Sequence, residues 1–475
     1  VYPFARDSAA QPFTDDSSVD GASSGETDFD QSVQGRSLVS TDETMRLPLL
    51  LLIIFLASVL IRPWDFIPIL ASIKPVTLAI LGITFAMMMA GIKFQYFRLP
   101  LSKSLLTLWI TMLVTSVTSY WIAYSLDFTI KWFQFLLLFS FIGTLVVATD
   151  GLFNLTRTLA VVGGFLSVLA IHSKLTMDFS AEGRIEGVGN GILSDPNELA
   201  QALVAVLPFA WWMLVRGQRV SDRLMGAVCG GLLSVGIVVT ESRGGLLSMI
   251  AAVGVLFLIS RSSATKKFAV AAVLIGVAIV AMPGAAVDRY STITTAAQED
   301  ESAQTRLAVW KAGGRMFSDH FVQGTGIGTF ETVYGSRYID RRYAGDKWYS
   351  AHNSVVEAAA ELGIVGLLAW LWFVLMPFWL LWRSRSALLE IDEDESVTRE
   401  QLIVWLECML AAWTGFFVGA MFLSKGFDIP VVIFVALAVA GSQIANRWVA
   451  TYVEAAEAGA TTASGSAAVG NTGAV

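Results

Sequence analysis

The chain has 475 residues, of which 55% are hydrophobic and 15% charged, and its mean hydropathy is +0.63. Soluble domains carry roughly 25% charged residues and do not sustain repeated long apolar runs, so a soluble enzyme is excluded and no nucleic-acid partner is expected. The net charge of −7 says nothing about partners, because the acids from Asp7 to Glu43, set against Arg6 and Arg36, supply all of it.

Residues 1–44 are rich in Ser, Asp and Gly and have too little apolar surface to form a core, which predicts a disordered acidic tail. They lack the charged-then-apolar order of a signal peptide. Apolar runs follow at 47–61, 73–91, 104–125, 128–148, 152–171, 197–215, 224–240, 245–260 and 268–285, then at 354–382, 401–423 and 430–448. A helix needs about 20 such residues to cross hydrocarbon, and the ten-residue alternation of a membrane barrel is missing. The expected architecture is an all-α polytopic membrane protein of about twelve transmembrane helices. Nine helices occupy 45–285, a large loop with short amphipathic helices covers 286–352, three helices occupy 353–450, and a disordered tail covers 451–475. The tenth span is long and is expected to project beyond the bilayer. Cys229 and Cys408 lie inside apolar runs and read as small buried hydrophobes, not as metal ligands or a disulfide.

Lys93, Arg98 and Lys103 share one loop, Arg216, Arg219 and Arg223 a second, and Arg261, Lys266 and Lys267 a third; Arg383 and Arg385 open a fourth. Positive charge marks cytoplasmic loops, so the expectation is a multi-pass protein of the inner (plasma) membrane with these loops and both termini in the cytoplasm. Asp127, segment 172–196 and the loop 286–352 then lie outside. Chemistry on that side has no ready ATP, and no Gly-x-x-x-x-Gly-Lys-Ser/Thr segment is present. A substrate there must arrive already activated.

Four constellations carry possible chemistry. Arg184 precedes Asp195-Pro196-Asn197-Glu198, where Pro196 suits a turn into the sixth span and Asn197 a helix N-cap; an ordinary polar loop is the plainer reading. Glu241-Ser242-Arg243-Gly244-Gly245 joins two apolar spans with almost no linker. Arg243 either snorkels to lipid phosphate or presents its planar fork to a phosphate ligand beside two glycines. Arg306, Trp310 and Gly314 recur every four residues and share a helical face; with Leu307 and Phe317 they predict an amphipathic helix able to rest on the membrane. Gly324-Thr325-Gly326-Ile327-Gly328 follows no strand pattern and reads as a tight turn. Last, His352-Asn353 stands where the long loop enters a helix carrying Glu357 and Glu361, for which arginines are natural partners. Neutral His352 can accept a proton at ambient pH, or serve only as a helix-start hydrogen-bonding group.

Taken together these pieces resemble the O-antigen ligase and O-antigen polymerase family of bacterial membrane glycosyltransferases. The matching residues are Arg184 with Asp195-Pro196-Asn197-Glu198-Leu199-Ala200, Ser242-Arg243-Gly244-Gly245, Arg306-Leu307-x-x-Trp310, Gly324-x-Gly326-x-Gly328-x-Phe330, and His352-Asn353 with Glu361-x-Gly363-x-x-Gly366, over roughly residues 180–370. The acidic N-terminal tail does not match. The resemblance implies a donor glycan on undecaprenyl pyrophosphate, a glycan or lipid-linked acceptor, and a role in cell-envelope polysaccharide assembly such as lipopolysaccharide or exopolysaccharide biosynthesis. It implies catalytic roles for His352, Arg243 and Arg184, and substrate-binding roles for Arg306, Trp310, Asn353 and Glu361. His352 is then either a general base on the acceptor hydroxyl or a ligand that orients the phosphate. No metal or other cofactor is expected, because the pyrophosphate linkage supplies the driving force; membrane lipids and polysaccharide assembly proteins are the further partners. The competing readings are a transporter or lipid-linked sugar flippase, against which the absence of an internal repeat argues, and a non-catalytic component of an assembly complex.

Overall fold

The computed structural model describes residues 38, 40–176, 195–261, 263, 265, 276, 301–340, 342, 347–391 and 396–470. Its contacts divide the chain into two units, Ser37–Val449 and the pair of terminal segments Val1–Arg36 and Ala450–Val475. The first unit holds everything that concerns the site.

Helices follow one another through that unit, and no strand occurs among the described residues. The longer ones, in order, are α1 (Glu43–Ile61), α2 (Pro75–Met89), α3 (Ser102–Val117), α4 (Ile122–Leu145), α5 (Thr149–Thr176), α6 (Pro196–Arg216), α7 (Val220–Val239) and α8 (Arg243–Ile259). After a gap in the described chain come α9 (Glu301–Asp319), α10 (Ser354–Leu389), α11 (Val397–Ala420) and α12 (Ile429–Gly470). Eight of these helices are long and apolar enough to cross a membrane; α2, α3 and α8 are shorter apolar helices. Each expected span except 268–285 meets one of these helices, and 268–285 lies, but for residue 276, outside the described residues. The all-α, multi-pass reading therefore stands, while the count of twelve is an expectation.

α6 and α11 form the centre, packed on each other and flanked by α5, α7, α8 and α10. Four buried tryptophans of this bundle each donate their indole N–H to a neighbouring element: Trp212 to Gln401 O at 3.1 Å, Trp405 to Thr156 Oγ1 at 2.8 Å, Trp413 to Val374 O at 3.0 Å and Trp370 to Gly426 O at 3.0 Å. In hydrocarbon a buried polar group must find a protein partner, so these bonds help fix helix register.

Several boundaries differ from the sequence reading for visible reasons. Asp127 is not in a loop. The chain turns earlier, at Thr118–Trp121, and Asp127 sits inside α4 paired with Lys131 at 2.5 Å. Arg385 does not open a loop either, because α10 runs on to Leu389; Arg385 is buried against Glu407 at 2.8 Å and donates to Ile259 O at 2.7 Å. The long tenth span is broken at Gly363, whose φ of 64° and ψ of −166° divide α10 into a short segment and a long helix. The Ala-rich stretch after residue 450, where no fold was expected, continues α12 to Gly470.

The described residues of 301–352 and the short first segment of α10 fold together as a cap. The buried face of α9 carries Val309, Ala312 and Met316, which pack with Phe330, Val333, Tyr334, Ala351 and Ala360. The apolar side of α9 is therefore spent on the cap's own core, while Leu307 remains 38% exposed. The cap is tied to the turn between α3 and α4 by Tyr120 N–H donating to Thr325 O at 3.0 Å, by Ser125 Oγ donating to Ile327 O at 2.7 Å, and by Arg337 lying 4.3 Å over the Tyr120 ring.

Candidate active site

The cap, the α7–α8 junction, the start of α6 and the loop between α11 and α12 meet at one place. α6 begins with Asp195, not Asn197, as its N-cap: Asp195 Oδ1 accepts from the N–H groups of Asn197 at 2.7 Å and Glu198 at 3.2 Å, and Pro196 occupies the first helical position, where a missing N–H costs nothing. With Asp195 as the cap, the Asn197 side chain reaches α8 instead, its Oδ1 accepting from Ser242 Oγ at 2.8 Å. Ser242 in turn caps α8, accepting from Gly245 N–H at 3.0 Å. A Cβ on Gly245 would lie 2.5 Å from Ala200 Cβ, so only glycine lets the start of α8 approach α6 this closely.

Arg306 comes down from α9 onto this junction. It lines a narrow cavity of about 10 Å³ together with Asn197, Ser242, Gly244, Gly245 and Phe422. One turn further along α9, Trp310 Nε1 donates to Ala351 O at 3.0 Å, which fastens α9 to the peptide next to His352. His352 has a φ of 46°, in the left-handed region that a residue with a Cβ seldom adopts. Its backbone N–H donates to Ser424 Oγ at 3.0 Å. Burial, then the nearby charges of Arg306 and Lys425, hold the His352 imidazole down to about 4, against the opposing pull of Asp195. At neutral pH it is therefore an uncharged ring and a weak base.

The residues around His352 are committed to holding the backbone. Asn353 is the N-cap of α10, its Oδ1 accepting from Val355 N–H at 2.9 Å and Val356 N–H at 3.1 Å. Glu361 is 2% exposed, and it meets backbone amides in place of an arginine: Oε2 accepts from Gly328 N–H at 2.7 Å and Oε1 from Phe330 N–H at 2.8 Å. The Gly324–Gly328 segment is the tight turn the sequence predicts, and the break at Gly363 is what makes it fit. With α10 interrupted there, the carbonyls of Ala360 and Glu361 accept from Thr325 N–H at 2.9 Å and Gly326 N–H at 2.8 Å. Gly324 has a φ of 66°, and a Cβ there would stand 2.2 Å from Glu361 O.

Arg243 is the first residue of α8 and half-buried at the same junction. Arg184 lies outside the described residues. The structure thus brings Arg306, Trp310, His352, Asn353 and the Ser242–Gly245 junction together, with Glu361 behind them as a brace for the glycine turn.

One part of the site is missing from the sequence reading. Lys425, in the loop between α11 and α12, lies 2.8 Å from Glu198 Oε1 and 3.0 Å from Asp428 Oδ2. Burial pulls its ammonium down, but Asp428 and Glu198 outweigh that and hold its pKa above the usual lysine range. The loop is locked to the cap's end, with Ser354 Oγ donating to Leu423 O at 2.8 Å and accepting from Lys425 N–H at 3.1 Å. The usable signal was a lysine in a short loop that the charge bias places on the side poor in Lys and Arg. Beside it opens a cavity of about 470 Å³, lined by aromatic and aliphatic side chains, by Glu198, Gln201, Lys425 and Asp428, and by Arg62, Asp127, Lys131 and Gln134.

A multi-pass helical bundle with a folded cap over a half-buried, arginine-bearing site is the class of protein that fold and site define. Residues 228–371 match the family model described as O-antigen ligase, so the resemblance drawn from the motifs holds over this stretch, which covers α8, the cap and the first half of α10. No curated protein matches the chain.

Proposed function

We propose that the chain is a membrane glycosyltransferase of the outer face. It passes a glycan from undecaprenyl pyrophosphate to an acceptor hydroxyl, without a metal, in an inner membrane that holds both termini in the cytoplasm. The observation that carries this reading is the convergence of Arg306 from the cap with the Ser242–Gly245 junction and His352. Arg243 at that junction and Arg184 from the preceding loop are the further pyrophosphate ligands. In the transfer step the leaving pyrophosphate gains negative charge, so guanidiniums fixed in advance stabilise the transition state more than the ground state. Of the two roles open to His352, orienting the phosphate suits its depressed pKa better than taking a proton. A bound anion would cancel the field of Arg306 and Lys425 and raise that pKa, so His352 meets the leaving group as a hydrogen-bond donor.

Trp310 and Asn353 set the position of His352, and Glu361 holds the glycine turn that closes the cap. This assigns them to building the site, with the substrate contact falling to Arg306. The test is transfer by purified Arg243→Ala, Arg306→Ala and His352→Ala variants. Removing one guanidinium is expected to cost about 2.7–4 kcal/mol of activation, by analogy with losing one donor from an oxyanion site. Wild-type transfer rates in all three folded variants contradict the assignment.

A further inference from the structure

With His352 assigned to the phosphate, the acceptor's proton needs a destination, and the wall of the larger cavity supplies one. The two residues that follow Pro196 face different spaces: Asn197 lines the narrow cavity with Arg306, while Glu198 lines the cavity of about 470 Å³. Gln201, one turn on, borders both. Glu198 has one oxygen engaged and one not. Oε1 lies 2.8 Å from Lys425 Nζ, whereas Oε2 is enclosed and has no hydrogen-bond partner among the described residues. A carboxylate has acceptor sites on both oxygens, and a buried one left without a donor is costly, so it marks a place where a ligand's O–H is wanted. The last torsion of a glutamate is broad, so turning Oε2 toward the cavity needs little.

We infer that Glu198 is the general base of the transfer, accepting the proton of a sugar hydroxyl of the acceptor held in the 470 Å³ cavity. This rests on the glycosyltransferase reading above. The acceptor oxygen forms its bond to the anomeric carbon, the bond from that carbon to the pyrophosphate oxygen breaks with its electron pair leaving on the pyrophosphate, and the proton ends on Glu198. Lys425 is a positioning residue: paired with Oε1, it holds the carboxylate in place, and its charge favours the ionised form. The cavity suits such an occupant, since Tyr124, Trp132 and Phe427 offer apolar faces to a ring while Gln201 and Asp428 offer polar partners.

The experiment uses the purified full chain in liposomes. Undecaprenyl pyrophosphate is the binding probe, and the donor is lipid-linked glycan extracted from cells of the source lacking this chain. Glu198→Gln is expected to bind undecaprenyl pyrophosphate as wild type does and to lower kcat by about 10²–10⁴-fold, the usual worth of a general base. Glu198→Asp is expected to keep part of the activity and an acid limb in its pH profile, which Glu198→Gln lacks. The charged groups around Glu198 are Lys425 and Asp428 from the last loop and Asp195 from its own helix start, and the same cavity is also lined by Arg62 after α1 and by Asp127 and Lys131 of α4. Lys425→Met removes the cation and is expected to move that limb to higher pH. Wild-type kcat in Glu198→Gln overturns the inference, and so does loss of probe binding in both Glu198 variants, which makes the residue structural. If wild type neither binds the probe nor transfers, the glycosyltransferase reading fails, and the inference goes with it.

Discussion

His352 shows how much of this site is held by backbone contacts. Its positive φ is tolerated because three neighbours pin the chain on either side: Trp310 on Ala351 O, Ser424 on His352 N–H, and the Asn353 cap on α10. Trp310→Phe removes one of these bonds and is expected to cost about 1 kcal/mol of stability and to lower transfer by loosening His352, measured by thermal unfolding and kcat together. The imidazole also carries a pH signature. Its pKa of about 4 lies below the unfolded value near 6.5. Between those values the unfolded chain binds a proton that the folded one does not. Stability from this group is complete above about pH 6.5 and is lost as pH falls toward 4. An NMR titration of the unliganded protein should find this ring uncharged from pH 5.5 to 8, and a midpoint near 6.5 would contradict the buried, cation-flanked setting. That Arg306 and His352 belong to one candidate site was legible from their motif positions, and the fold brings them near one another. That Asn353 caps α10, that Asp195 takes the cap at α6, and that Glu361 holds amides was not, because each depends on which donors the backbone leaves unpaired.

At the scale of elements, the break in α10 is the feature on which the cap depends. A continuous helix through Gly363 would use the carbonyls of Ala360 and Glu361 internally, and the 324–328 turn would lose its docking partners. Gly324→Ala places a methyl carbon against Glu361 O at a φ of 66°. The expected loss of stability is at least about 1–3 kcal/mol, together with easier proteolysis of the cap; an unchanged melting temperature would contradict the docking described. The glycine turn was readable from its spacing, since repeated glycines after no strand pattern leave little but a turn. The break at Gly363 was not, because hydropathy runs on unchanged from Val355 to Trp382 and gives no sign of where a helix opens. What covers the apolar side of α9 was hidden for a related reason. Its polar and apolar sides are plain in sequence, but what covers the apolar side depends on Phe330 and Tyr334 folding back on it.

For the whole molecule, composition alone settled the all-helical, multi-pass class, since no soluble chain carries so many long apolar runs. Topology rests on loop charge and predicts sidedness directly. A cysteine at Ser318, exposed on the cap, should react with an impermeant maleimide added outside, and one at Ser221, exposed near the start of α7, only after the membrane is opened. The reverse pattern would place the site in the cytoplasm. The last loop, with Lys425 and Asp428, stayed out of view because its residues gain meaning only beside Glu198 and the cap's end, far away in sequence. The central claim, that this site transfers a glycan, is tested most directly in liposomes carrying the purified chain and a lipid-linked glycan. The account predicts that a new glycosidic product and free undecaprenyl pyrophosphate appear in equal amounts, and that both are lost in Arg306→Ala. Donor that crosses the bilayer with its pyrophosphate linkage intact, and no product, would contradict it and make the chain a transporter.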